Sequence, residues 1–235
     1  MKRSTLFSLI SIFLLLPATL YLGTQLSGKA YYITSTLVIL ETMLPFFFRF
    51  ESRKPQAREL ATIAVMCALA VAGRVAFPLP NFKAITGIVM IAGIAFGAET
   101  GFMIGAVSAF ASNFFFSQGP WTPWQMMAYG MAGFLSGLIF HRHCARLLKN
   151  PPLLLGLMSV FGFVGIVVVI GPLLDCSTIF ATSSHLSWKY ALAVLAAGLP
   201  HNVTHGISCA LTLVIFSKPL LSKLSRLQTK YGMLS

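Results

Sequence analysis

Acidic residues are scarce in this chain, which has five Asp and Glu against 17 Lys and Arg. All charged residues together make up 9% of the sequence, whereas a soluble domain has roughly 25%. Hydrophobic residues make up 57%, and the mean hydropathy is +0.83. This composition excludes a soluble fold. It predicts an all-α integral membrane protein with several spans, since helices satisfy their own backbone hydrogen bonds in lipid.

Two further absences exclude classes of function. The chain has no GxxxxGK phosphate-binding loop, so it does not hydrolyse ATP itself. Its four cysteines lie far apart without the spacing of metal ligands, and we expect small buried side chains. We therefore expect no metal site, no catalytic residue and no bound cofactor. The cysteines are Cys67, Cys144, Cys176 and Cys209.

Apolar runs between breakers predict eight membrane spans. The first follows a basic start and resembles a secretory signal, but its apolar run is long for one, so we expect a retained helix. The spans cover approximately residues 5–23, 30–49, 59–78, 84–98, 100–116, 122–140, 152–173 and 188–217.

The basic residues predict an orientation for these spans. With the N-terminus in the cytoplasm, only Lys29, Lys83 and Lys189 of the 17 basic residues fall outside, and Arg74 lies within a span. This bias predicts a multi-pass cell-membrane protein with both termini cytoplasmic. It also explains the net charge of +12 without a nucleic-acid partner, because the basic loops act as topology signals.

The most charged stretch, residues 49–60, divides the chain. We predict two extra N-terminal transmembrane helices in residues 1–50, a six-helix domain in residues 58–217 and a basic cytoplasmic tail in residues 218–235. Small residues recur at every fourth position in the six-helix part, which lets helices approach closely in lipid. We expect the glycines to pack helices together. An alanine stripe could instead face lipid or another protein, and it consists of Ala64, Ala68, Ala72 and Ala76.

Polar side chains within the predicted spans concentrate in the outer half. At about 1.5 Å per residue, Arg74 lies roughly 20 Å from the inner end of its helix. It either snorkels to the interface or faces a wet cavity, where it meets a carboxylate, phosphate or amide. His201 and His205 fall near the midplane on one helix face, where they pack, contact substrate or bind metal. Asn202 replaces the glutamate that a metalloprotease helix needs, while Asp175 is expected in an outer loop.

The stretch SNFFFSQGPWTPWQMMAYG, residues 112–130, combines aromatic, proline and amide side chains. Its two prolines stiffen an outer loop, and Thr122 is a candidate cap for the next helix. Trp121 and Trp124 are either interface aromatics or part of a site that grips a large, flat, amide-bearing solute.

The run AGIAFGAETGFMIGAVSAFASNFFFSQGPWTPWQMMAYGMAGFLSGL, with ARELATIAVMCALAVAGRVAF before it, resembles the substrate-binding S-components of energy-coupling factor (ECF) vitamin transporters. Its NFFF.QGPWTPWQM segment is most similar to the cobalamin-specific group. The resemblance covers residues 58 to about 217. It implies a six-helix S-component-like bundle whose vitamin site opens outward beneath lids at residues 78–84, 117–122 and 174–188. Cobalamin or a related corrinoid would be the transported substrate, not a cofactor.

The resemblance also implies partners. The first helix of such a bundle packs an AxxxA-type surface on the transmembrane T-component, and Ala64, Ala68 and Ala72 match that surface. Two ATPase subunits complete the ECF module and drive toppling of the S-component, which delivers the substrate inside. The two leading helices depart from the six-helix pattern, and their role stays open.

Three functional hypotheses remain at this point. The polar residues at one side favour a substrate-capture subunit for a corrinoid or another bulky solute, such as a queuosine precursor. The alternatives are a membrane-embedded enzyme that uses His201, His205 and Asp175, and a purely structural subunit. The predicted substrate-binding residues are Arg74, Asn81, Lys83, Asn113, Gln118, Trp121, Trp124, Gln125, Tyr129, His201, Asn202 and His205.

Overall fold

A computed structural model describes residues 15, 18–19, 30–52, 54–77, 79–182 and 187–232. Every regular element within these ranges is helical. The described residues contain seven of the eight predicted spans. The first, at residues 5–23, lies almost entirely outside them.

The helices follow the predicted spans in order. A 3-10 turn and a single helical turn, His141–His143 and Cys144–Leu147, link the fifth helix to the sixth. The sixth continues through a π-helical turn, Ile166–Ile170, into the seventh. The helices are α1 (Ala30–Ser52), α2 (Ala57–Val75), α3 (Ile85–Phe96), α4 (Ala98–Phe116), α5 (Thr122–Phe140), α6 (Pro151–Gly165), α7 (Gly171–Thr182) and α8 (Trp188–Tyr231).

The outer surface of this bundle suits lipid. Large apolar side chains are exposed along several helices, among them Val65, Val160 and Ile215. By length and composition, the segments Pro151–Phe180 and Trp188–Tyr231 each suffice to cross a membrane. The described residues thus form an all-helical bundle whose apolar surface and long helices suit a membrane.

Helix α3 lies at the centre of the bundle. All 12 of its residues are buried, so it has no face for lipid. It packs against α2, α4, α5 and α8. Side chains from neighbouring elements satisfy carbonyl groups at its C-terminal end: His141 Nδ1 lies 2.9 Å from the Ile94 oxygen, and Gln228 Nε2 donates to the Ala95 oxygen at 2.8 Å.

Glycines allow the helices to cross at backbone contact. Gly97 alone joins α3 to α4, and its φ of +91° lies in a region that side chains disfavour. A Cβ atom on Gly133 of α5 would lie 2.2 Å from the Gly101 carbonyl oxygen of α4. A Cβ on Gly105 would lie 2.2 Å from the Tyr129 oxygen. The predicted role of these glycines in helix packing is confirmed.

Helix α1 forms an additional wall of the bundle. Phe46 stacks on Phe102 of α4 with ring centroids 4.0 Å apart and meets the edge of Phe134 of α5 at 5.1 Å. Met43 is fully buried in the same contact. The division into residues 1–50, 58–217 and 218–235 stays a prediction.

Two helices extend beyond their predicted ends, at residues 173 and 217, and each predicted end lies close to a proline. Helix α7 continues to Thr182, so Asp175 lies within a helix and not in a loop. Pro172 is tolerated because it stands in the first turn of α7, directly after the π-helical turn. Helix α8 runs past the predicted end at residue 217 to Tyr231, with Pro219 inside it. The predicted lid at residues 174–188 is therefore helical as far as Thr182, and residues 183–186 lie outside the described residues.

Candidate functional site

A polar cavity of about 230 Å³ opens at the end of the bundle where α2 and α4 end and α5 begins. The connection between α2 and α3, together with α7 and α8, completes its wall. The structure thus brings together Arg74, Asn81, Lys83, Gln125, Tyr129 and His205 from the predicted set. The other lining residues are Phe116, Leu174 and Ser177.

Arg74 is the buried charge of this cavity, with 8% of its surface exposed. Its Nη1 donates to Ser112 Oγ at 2.5 Å and to Asn113 Oδ1 at 2.8 Å. Its Nη2 lies 3.5 Å from Gln125 Oε1. The guanidinium also lies 4.8 Å from the centroid of the Phe116 ring. The side chain is therefore held inside the bundle by neutral groups and does not reach for the lipid interface.

A hydrogen-bond chain connects Arg74 to the loop after α4. Asn113 Nδ2 donates to Thr122 Oγ1 at 3.0 Å, and Thr122 Oγ1 donates to Gln118 Oε1 at 3.0 Å. The backbone nitrogen of Gly119 donates to the same hydroxyl at 3.1 Å. The prediction that Thr122 caps α5 is wrong, because α5 begins at Thr122 itself and this network engages its hydroxyl.

Two connections beside the cavity contain backbone in the left-handed region. Asn81 has a φ of 56° and Ser117 a φ of 74°. Asparagine tolerates this region well, whereas serine there costs about 1–3 kcal/mol. Strained backbone of this kind concentrates at ligand sites and switch regions.

Lys83 adds a second positive charge. It is half-buried in the connection before α3, and its ammonium donates to the Phe77 carbonyl oxygen. Burial lowers the pKa of Lys83 below its ordinary value, and the charge of Arg74 lowers it further. Lys83 Nζ lies 5.2 Å from the centroid of the Phe116 ring, so two cations flank one aromatic ring.

The two predicted histidines of α8 turn toward different neighbours. His201 is exposed, and its Nδ1 lies 2.9 Å from Asn81 Nδ2 in the connection before α3. His205 is buried, and its Nε2 lies 3.0 Å from Thr86 Oγ1 of α3. His201 therefore lies beside the connection that precedes α3, and the membrane depth predicted for it stays a prediction.

Asn202 does not enter the cavity. Its Nδ2 donates to Asp175 Oδ2 of α7 at 2.8 Å. Glycines on both helices make room for this pair: a Cβ on Gly171 would lie 2.3 Å from the Asn202 side chain, and one on Gly198 would lie 2.3 Å from the Asp175 carboxylate. Within the described ranges, no group of three or more His, Cys, Asp and Glu side chains could hold a metal ion.

The predicted tryptophans also lie outside the cavity wall. Trp124 is 7% exposed and stacks on Phe180 of α7, with centroids 5.4 Å apart. Trp121 is 40% exposed at the start of α5. Successive residues of a helix point about 100° apart, so Gln125 faces the cavity and Trp124 turns away from it. Gln118 and Asn113 support Arg74 from the loop and from α4.

Sequence reasoning missed several residues of the site. Phe116 belongs to the quoted NFFF segment, and Ser112 directly precedes Asn113. Their positions next to predicted site residues could therefore have indicated both of them. Leu174 and Thr86 carried no signal, because an apolar or small polar residue in a span is common.

The alanine stripe is exposed on the side of α2. Ala64, Ala68 and Ala72 of the stripe line an apolar groove of about 650 Å³ between α2 and α4. The stripe therefore does not pack inside the bundle, and lipid or another protein remains as its partner. The groove residues on α4 are Val107, Ala111 and Phe115.

The comparison with protein families gives one result for this chain. The model of the family described as ECF-type riboflavin transporter, S component, matches residues 54–222. The match begins just before α2 and contains every residue of the cavity wall. No curated protein and no solved structure gives a significant match.

Proposed function

The chain belongs to the family of ECF-type riboflavin transporter S components, and on this premise we propose that its Arg74 cavity is the substrate site. An S-component is a membrane-embedded subunit that binds the transported small molecule, and it is not an enzyme. Family membership implies association with a transmembrane T-component and ATPase subunits. The observation that carries the proposal is a buried guanidinium in a polar cavity at one end of an otherwise apolar bundle.

The cavity is proposed to open to the outside of the cell, with both chain termini in the cytoplasm. The distribution of Lys and Arg over the loops supports this orientation. A site on the outer side would capture scarce vitamin before the partners act. The alanine stripe would then dock on the T-component. Its small apolar side chains let a partner helix approach the backbone of α2 closely, away from the cavity.

For the substrate, we propose a flat heteroaromatic vitamin. The rings of Phe116 and Tyr129 provide stacking surfaces, and Gln125 and Asn81 provide amide groups for its edge. The family description points to riboflavin, while the quoted tryptophan segment points to a corrinoid. A cavity of about 230 Å³ lies below the roughly 300–1,000 Å³ of ordinary small-molecule sites. A corrin ring with its amide side chains exceeds this cavity by far more than a flavin does, which favours the smaller ring system.

The test begins with protein made in rich medium, purified, and analysed by mass spectrometry for retained small molecules. Binding is then measured by calorimetry with riboflavin, cobalamin, cobinamide and a 7-deazaguanine precursor of queuosine. We expect nanomolar binding of one compound and its loss in Arg74→Gln. The matched control is Arg146→Gln, because Arg146 is exposed in the link between α5 and α6. If wild-type protein retains no small molecule and binds none of the four compounds, the proposal is wrong.

A further inference from the structure

Two positive charges and no negative charge face the cavity. Arg74 and Lys83 are the charged residues among the described side chains of its wall, and no acidic residue is present there. Every hydrogen-bond partner of Arg74 in the described ranges is neutral: Ser112, Asn113 and Gln125. A charge buried among neutral groups is costly, and a second cation nearby adds repulsion.

The guanidinium also has donors to spare. It carries five N–H groups in a fixed fork, and three hydrogen bonds engage two from Nη1 and one from Nη2. Within the described residues, Nε and the second hydrogen of Nη2 have no hydrogen-bond partner, and Arg74 lines the cavity. A fork of this kind matches the oxygen spacing of a carboxylate or phosphate.

Other features hold the two cations in place. Both flank the ring of Phe116, with distances to its centroid of 4.8 Å for Arg74 and 5.2 Å for Lys83. Asn113 accepts from Arg74 and is itself oriented by its donation to Thr122. The nearby carboxylate of Asp175 accepts a hydrogen bond from Asn202 and lies outside the cavity wall. The fork is thus preorganised for an anion that the protein itself does not supply.

We infer that Arg74 and Lys83 form an anion subsite, and that the captured solute carries a carboxylate or phosphate that these two cations bind. This inference rests on the proposed function, because it names the chemical class of the substrate in the same cavity. It narrows the proposed substrates from flat heteroaromatic vitamins in general to those that carry an acidic group. A lipid headgroup has the same chemistry and is the competing source of the anion.

The experiment uses the full-length protein in detergent and follows thermal unfolding through tryptophan fluorescence. Inorganic phosphate is titrated against chloride at constant ionic strength, and riboflavin 5′-phosphate is titrated against riboflavin. We expect the phosphate and the phosphate ester to stabilise the wild type more than their counterparts do. In Arg74→Gln, the apparent affinity for both should fall by about tenfold or more, since a charge-assisted pair is lost.

Three further variants make the result specific. Lys83→Gln should weaken phosphate binding less than Arg74→Gln does, and Arg74→Lys should restore part of it because the charge returns without the fork. Lys189→Gln, an exposed lysine at the start of α8, should bind phosphate like the wild type. Equal phosphate affinity in wild type and Arg74→Gln, or no phosphate effect in the wild type, would overturn the subsite.

A lipid arm separates the two sources of the anion. The wild type and Arg74→Gln are compared in nanodiscs of phosphatidylcholine alone and with phosphatidylglycerol. We expect phosphatidylglycerol to leave phosphate binding unchanged. Competition between this lipid and phosphate at Arg74 would assign the site to a lipid headgroup. It would overturn the inference that the anion belongs to the captured solute.

The same measurements distinguish failure of the subsite from failure of the proposed function. Arg74-dependent phosphate binding without binding of any vitamin would support the subsite and count against the transport substrate site. Vitamin binding that is equal for neutral and anionic compounds, and equal in Arg74→Gln, would support vitamin capture and reject the subsite.

Discussion

Arg74 Nη1 of α2 lies 2.8 Å from Asn113 Oδ1 of α4, and this contact connects the buried charge to the loop that precedes α5. Asn113 is fully buried, and both ends of its amide are engaged, one by the guanidinium and one by Thr122. Its orientation is therefore determined by its partners. The cavity depends on this amide as much as on the charge itself.

Removal of the Asn113 amide should be costly. Asn113→Ala removes one hydrogen-bond partner from Arg74 and one from Thr122, although each keeps others. A buried polar group that loses a partner costs about 1–3 kcal/mol. We expect a lower midpoint of thermal unfolding and weaker binding of any solute that occupies the cavity. Asn150→Ala is the matched control, because Asn150 is exposed and makes no side-chain capping hydrogen bond. Identical unfolding of the two variants would contradict the role assigned to Asn113.

A methyl group at the crossing of α4 and α5 should separate the helices. In Gly133→Ala, the new Cβ would lie 2.2 Å from the Gly101 carbonyl oxygen, a backbone atom that cannot rotate away. We expect a destabilisation of about 1–3 kcal/mol or more, measured by thermal or denaturant unfolding in detergent. Gly156→Ala should be neutral or slightly stabilising, because nothing lies within 4 Å of its Cβ position and alanine favours helix. Comparable losses in both variants would show that the crossing is not the cause.

The two tryptophans of the PWTPW segment should differ in their effect on stability. Trp124→Ala removes a buried ring stacked on Phe180, and such a truncation costs about 3–5 kcal/mol in a packed core. Trp121→Ala removes a ring that is 40% exposed and should change stability by less than about 1 kcal/mol. Neither residue lines the cavity, so we expect solute affinity in folded Trp121→Ala to match the wild type. A loss of affinity in that variant, with stability intact, would bring Trp121 back into the binding site.

Bulk added to the alanine stripe should affect partner binding and not folding. Ala68→Trp places a large ring on an exposed helix surface. The unfolding midpoint and the solute affinity of the isolated subunit should therefore match those of the wild type. Co-purification with the T-component and the ATPases should fall, together with uptake in cells. Val160→Trp adds the same ring to an exposed position of α6 and is the control for bulk in lipid. Normal assembly of Ala68→Trp would locate the docking surface elsewhere.

Much of the helix order was accessible from sequence because the signals are local. Pro123 and the polar loop before it mark the start of α5, and the structure begins that helix at Thr122. Glycine spacing likewise predicted the close contact of α4 and α5. The predicted end of the span at residue 173 falls short, because the helix continues to Thr182 with Pro172 in its first turn after the π-helical turn. A π-helical turn before this proline removes the need for its missing N–H, and periodicity does not reveal such a turn.

The cavity was predictable in part, for a different reason. Charge and amide groups at helix ends pointed to one side of the bundle, and Arg74, Gln125 and Lys83 do meet there. Which face of each helix turns inward depends on contacts between distant segments. Trp124 lies outside the cavity wall, since its neighbour Gln125 occupies the face toward Arg74. The pairing of Asn202 with Asp175 was equally inaccessible, because it depends on glycines of two facing helices.

The short central helix has a consequence for how this protein is made. At about 18 Å, α3 is much shorter than the roughly 30 Å hydrocarbon layer, so alone it offers the translocon a weak span. Gly97 leads directly into α4, and the two helices pack together as a hairpin. The carbonyl group of Ala95 gains its hydrogen bond from Gln228 only when α8 is present. Gln228 lies near the end of α8 and is among the last described residues to be synthesised. The contacts of α3 are therefore complete only after α8 has been synthesised, so the centre of the bundle depends on the C-terminal helix.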